Sequence, residues 1–149
     1  MGISSVLSPT CKHLRDMLYC FCNEARPVFW PRLFNYQAKV IKEVAAEESC
    51  VIIGRCADFI LKDNPNVIRL FFYAPREDCI TRVKTQNGGK EKDIIRKIEK
   101  TDKYRSDYYK YHTGKDWNDS RNYDFCLNTA SMSYEKLVAV VKAYIEQYA

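Results

Sequence analysis

Two short stretches carry the residue types most suited to chemistry. The first is Gly54-Arg55-Cys56-Ala57-Asp58, directly after the apolar run Cys50-Val51-Ile52-Ile53. A charge so close to a core is costly unless something pairs with it, so Arg55 needs a carboxylate or a bound anion. Such an arginine does one of two jobs. It offers a planar guanidinium to a phosphate or a base edge, with Gly54 allowing the close turn and Asp58 orienting Arg55 or accepting from an amine. Alternatively, Arg55 and Asp58 form a structural pair that closes a strand-to-helix corner.

The second stretch is EKTDKYRSDYYKYHTGKDW, residues 99–117. Lys100, Lys103, Arg105, Lys110 and Lys115 are interleaved there with Tyr104, Tyr108, Tyr109, Tyr111 and Trp117. On a helix Asp102 reaches Arg105 at i, i+3, and Lys103 and Arg105 suit different phosphates. Aromatics among cations also suit stacking on single-stranded nucleic acid. The plainest alternative is a solvated helix whose tyrosines cover the core edge.

Other motifs are missing. A phosphate-cradling loop needs GxxxxGK[ST]. Gly89-Lys90 and Gly114-Lys115 are followed by Glu91 and Asp116, with Lys84 and Tyr109 where the first glycine belongs. GxGxxG, GxSxG and HExxH are also absent. The seven cysteines include no CxxC pair, and the histidines are His13 and His112. No resident metal site is expected.

The elements that must position these residues follow from apolar spacing. Leu14, Met17, Leu18 and Phe21 predict a helix over 10–25, ended by Arg26-Pro27. Leu33, Tyr36, Gln37, Val40, Ile41, Val44 and Ala45 predict a second over 33–48. Val51-Ile52-Ile53, residues 66–73 and residues 123–127 read as strands. Pro75 with Glu77 and Asp78 opens a helix that runs through Val83. A long charged helix over 90–109 carries Ile94, Ile95, Ile98 and Tyr104 or Tyr108 on one stripe. Ser133 to Tyr148 form the last helix, with Tyr134, Leu137, Val138, Val141, Tyr144, Ile145 and Tyr148 facing inward. Strands alternating with helices imply an α/β class: a parallel sheet flanked by helices in three layers. Ligands then sit at the carboxyl ends of the strands, where Arg55 falls.

At 149 residues the chain fits a single domain able to bury a core. Its net charge is +5, and the excess lies in one segment. Between Arg76 and Lys115 there are twelve basic and seven acidic residues, while the rest of the chain has twelve of each. An anionic partner is expected there. No run approaches 18 apolar residues, and the first residues lack the basic start and apolar run of a signal peptide. Scattered cysteines suit a reducing compartment, so the expected location is cytoplasmic, without a membrane.

In order along the chain, LFNYQAKVIKEVAAEESCVIIGRCADFIL, NVIRLFFYAPREDCITRV, KIEKTDKYRSDYYKYHTGKDW and NYDFCLNTASMSYEKLV resemble the cytidylate kinase-like family, relatives of cytidylate kinase among the nucleoside monophosphate kinases. The resemblance covers about Leu33 to the C-terminus and implies a P-loop kinase-like fold. It also implies phosphoryl transfer from ATP with Mg²⁺ to a nucleoside monophosphate, CMP or dCMP. By resemblance Gly54, Arg55, Asp58 and Asp102 bind the substrate, while Lys103 and Arg105 neutralise the transferring phosphoryl group. Cytidylate kinases flank their Gly-Arg pair with aspartates where this chain has Ile53 and Cys56, so cytosine selectivity rests on Asp58 standing in. Family members begin with a strand, a glycine-rich loop and a helix, in place of which stand residues 1–32, an N-terminal helical part. The expectation is an N-terminally truncated domain, 33–149 forming its core and about 100–120 its lid. Catalysis would be impaired without the phosphate loop, and the exposed sheet edge would favour a homo-oligomer. The alternatives are a non-catalytic nucleotide-binding or regulatory module and, last in order, a single-stranded nucleic-acid binder.

Overall fold

The computed structural model describes residues 30–47 and 49–148, so the helix expected over 10–25 lies outside the described residues. The chain divides into two compact units that meet in sequence at Pro65 and Asn66.

In the first unit, helix α1 (Trp30–Glu47) buries Gln37 and Ile41, each 1% exposed. These residues are one turn apart, and Phe34, Val44 and Ala45 flank them half-buried. Tyr36 points elsewhere, 59% exposed, because its position lies well over a quarter turn from the Gln37–Ile41 line. α1 lies against α2 (Ala57–Ile60), a single turn. Val51-Ile52-Ile53 is not a strand in the structure. Val51 is 51% exposed, Ile52 and Ile53 are half-buried, and among the described residues the sheet contains only two other strands. Three apolar residues favour extended backbone, but a strand also needs a neighbour that takes its hydrogen bonds.

The second unit is α/β, with helices around a small parallel sheet. β1 (Leu70–Tyr73) pairs with β2 (Phe125–Asn128), Leu70 opposite Phe125 and Tyr73 opposite Asn128. Side chains alternate across a strand, so Phe71 and Phe125 occupy opposite faces. On one face Phe71 stacks on Tyr123 at 4.8 Å and meets Trp117 edge-on at 5.7 Å. On the other, Phe125 stacks on Tyr144 of the last helix, α5 (Tyr134–Tyr148), at 4.6 Å. Tyr134 and Ile145, expected inward, are 64% and 43% exposed.

Arg69 and Asp124 close the amino ends of the strands. The Arg69 backbone N–H and Nε donate to Asp124 Oδ2 at 2.8 and 2.9 Å, and Nη2 donates to Oδ1 at 2.6 Å. At the carboxyl ends Thr129 donates to the Tyr73 carbonyl twice, from its backbone N–H at 2.8 Å and its hydroxyl at 3.2 Å. The register is therefore fixed at both ends.

Helices α3 (Arg76–Asn87) and α4 (Glu91–Thr113) follow β1. α3 starts after Pro75 with Glu77 and Asp78 in its first turn, and α4 stops at Gly114, whose left-handed φ of 71° lets its N–H return to the Lys110 carbonyl. Ala74, Cys79, Ile94 and Ile98 form a core cluster, flanked by Ile80 and Val83. Tyr109 continues the buried side of α4, 4% exposed, where Tyr104 or Tyr108 was expected. Three turns of 3.6 residues carry the phase from Ile98 to 109, while Tyr104 falls on the open side at 37% exposure. No helix among the described residues is long and apolar enough to cross a membrane.

Candidate functional site

Three consecutive residues, Gly54, Arg55 and Cys56, have left-handed backbones, with φ of 66°, 54° and 56°. The turn is closed by Ala57 N–H donating to the Gly54 carbonyl at 3.1 Å, and Phe59 and Ile60 N–H donate to the Cys56 carbonyl at 3.0 and 2.9 Å. A side chain at Gly54 would meet nothing within 4 Å, so glycine is favoured there by its positive φ rather than by space. Arg55 and Cys56 adopt the same conformation with a Cβ, which costs about 1–2 kcal/mol per residue. Arg55 is half-buried and Cys56 is 3% exposed. Burial pushes the Cys56 thiol up to about 12; the charge of Asp58 adds to the effect and that of Arg55 opposes it. Both charges thus act on one buried thiol, which stays protonated and inert as a nucleophile. A half-buried guanidinium on a turn of fixed shape suits a planar, two-oxygen anion.

On α4, Arg105 Nη1 donates to Asp102 Oδ1 at 3.2 Å, the side chains 28% and 29% exposed. This pair occupies the inward side of the helix between Ile98 and Tyr109, where an apolar residue would be the ordinary choice. Lys103 lies on the outer side, its Nζ 2.9 Å from Asp107 Oδ2 and both side chains well exposed. Of the candidates on α4, the structure brings Asp102 and Arg105 together and sets Lys103 apart, since residues two apart on a helix do not share a face. Gly54, Arg55 and Asp58 are together in the first unit; Asp102, Lys103 and Arg105 belong to the second.

One feature is invisible to motif reading. At the carboxyl ends of β1 and β2 a cavity of about 110 Å³ is lined by Phe72, Ala74, Cys79, Arg82, Val83, Gln86 and Thr129. Arg82 Nη2 donates to the Thr129 carbonyl at 3.3 Å across it, and Cys79 Sγ donates to the Ala74 carbonyl at 3.8 Å. Its residues come from two strand ends and a helix, so no local spacing marks it. Its place at the strand carboxyl ends is where open parallel sheets bind ligands. Among the described residues no three His, Cys, Asp or Glu side chains gather into a set that could hold a metal ion.

Comparison with known proteins gives these features a lineage. A crystal structure of an uncharacterized protein from Eubacterium ventriosum superposes with a TM-score of 0.70 at 31% identity, covering 89% of this chain and 70% of that one. Uronate isomerase of Corynebacterium glutamicum is 30% identical over 107 residues, 70% of this chain. The chain spans about a fifth of the length of that curated relative, the match covering 20% of it. The profile of the cytidylate kinase-like family matches residues 9–131, a span that takes in the left-handed turn at Arg55, the Asp102–Arg105 pair and both strands. With most of its length inside that match, the chain belongs to the cytidylate kinase-like family.

Proposed function

We propose that this chain binds a nucleoside monophosphate, CMP or dCMP, and takes part in phosphoryl transfer to it from ATP with Mg²⁺. The observation that carries this reading is the left-handed run Gly54-Arg55-Cys56 with its half-buried guanidinium. Two non-glycine residues held at positive φ store strain, and such strain collects where a group must be presented in one orientation. Arg55 would grip the monophosphate through paired N–H donors, Gly54 would let the backbone approach, and Asp58 would accept from an exocyclic amine. Arg105, oriented by Asp102, would neutralise charge on the transferring group, and Lys103, on the outer side of α4, would meet a different phosphate.

The described residues do not build a resident cation site. Magnesium commonly reaches such enzymes on nucleotide phosphates, keeping several waters, and this chain would receive it that way. The cavity beside Arg82 and Thr129 offers apolar walls and polar rims to part of the donor. None of the 149 residues spells the GxxxxGK[ST] loop, so transfer by this chain alone is expected to be slow, because this chemistry rests on positioning and charge neutralisation. The same turn also supports a second reading, a nucleotide-binding module without catalysis, since Arg55 can hold a monophosphate with no donor present.

Calorimetric titration with CMP, with ATP·Mg²⁺ as comparison and Arg55→Ala as control, tests both. CMP binding lost on the substitution supports the monophosphate site; measurable CDP formation then selects the enzyme, and none selects the module. Failure of CMP and dCMP to bind the wild type would sink both readings.

A further inference from the structure

We propose that the outer side of α4 binds single-stranded nucleic acid, with Lys97 and Lys100 on its phosphates and Tyr104, Tyr108 and Tyr111 stacking on its bases. These five residues are spaced by three, four, four and three, which keeps them on one stripe of the helix over about 20 Å. Tyr104 is 37% and Tyr111 61% exposed, and the Tyr104 and Tyr108 rings stack at 6.3 Å with 29° between their planes. His112 extends the aromatic row, 4.5 Å from Tyr108 and 4.8 Å from Tyr111. The stripe lies on a different side of α4 from the inward Asp102–Arg105 pair.

Charge decides the partner. Lys103 and Lys110 are matched by Asp107 and Asp116, at 2.9 and 2.6 Å. Arg96, Lys97 and Lys100 are exposed and make no ion pair among the described residues. A solvated helix serving only solubility would pair or alternate its charges and keep rings off its open face. Unmatched cations at one end of a stripe and the solvent-exposed edges of Tyr104 and Tyr111 farther along it complement a chain that has phosphates and unstacked bases together. A duplex hides its base faces, and a polyphosphate has none.

The test is fluorescence anisotropy with a labelled oligothymidylate lacking terminal phosphates. The expected result is binding that weakens with salt and is not displaced by excess CMP. Joint replacement Lys97→Gln and Lys100→Gln should reduce the slope of log K against log salt by about 1.4, from about 0.7 per phosphate. Tyr104→Ala and Tyr111→Ala should each weaken binding about 5- to 100-fold, with circular dichroism unchanged because both rings are exposed. Absence of binding, equal affinity for duplex or inorganic polyphosphate, or binding that neither the lysine pair nor the tyrosines alter would each overturn the proposal. Displacement by CMP would overturn it too, by assigning the oligonucleotide to the monophosphate site.

Discussion

Replacing Arg55 in two ways separates what its backbone costs from what its side chain does. Alanine and glycine both remove the guanidinium, and both should abolish CMP binding. Only glycine relieves the left-handed strain, so Arg55→Gly should be more stable than Arg55→Ala by about 1 kcal/mol in urea denaturation. Equal stabilities would mean that the turn is not strained and that Arg55 is an ordinary corner residue. The glycine-arginine pair is legible in sequence because an unlikely charge follows an apolar run. Cys56 in the same conformation is not, since nothing in a cysteine announces a positive φ. The orientation of Arg105 by Asp102 is legible from the i, i+3 spacing, whereas the separation of Lys103 from them follows only once the phase of α4 is fixed.

At the scale of elements, the Arg69–Asp124 seam is the contact to break. Hydrogen bonds from Arg69 come first among the causes that hold the Asp124 carboxyl below its ordinary value of 3.8. The sign follows: a carboxyl with a lowered folded pKa stabilises above its unfolded value, and that contribution is lost as pH falls through the folded value. Asp124→Asn should cost about 1–3 kcal/mol at neutral pH, and the deficit relative to wild type should shrink as pH drops below about 4. A deficit unchanged by pH would show that packing rather than charge holds the seam. Helices are legible because their apolar period and end signals, Pro75 and Gly114 among them, are local. Strand 51–53 is misread because pairing is not local, and the cavity beside Arg82 is missed for the same reason.

For the molecule as a whole, ligand binding and stability are linked. CMP at a hundred times its Kd should add about 2.7 kcal/mol to the state that binds it. That corresponds to a rise of roughly 5–10 °C in Tm for a chain of this size. Two compact units give this measurement further content: if they melt separately, only the transition of the binding unit should move, and a uniform shift would mean that both melt as one. The same seam that fixes the register also bears on how the chain reaches its fold. Arg69 and Asp124 are 55 residues apart, and closing a loop of that length costs about 3.5 kcal/mol before the pair returns anything. The α3–α4 hairpin closes over a short connection, and a nucleus built there would leave the strand pair to form late. Weakening the seam should then leave the folding rate nearly untouched and make the finished molecule come apart faster, so that the seam acts as a latch on residence in the native state.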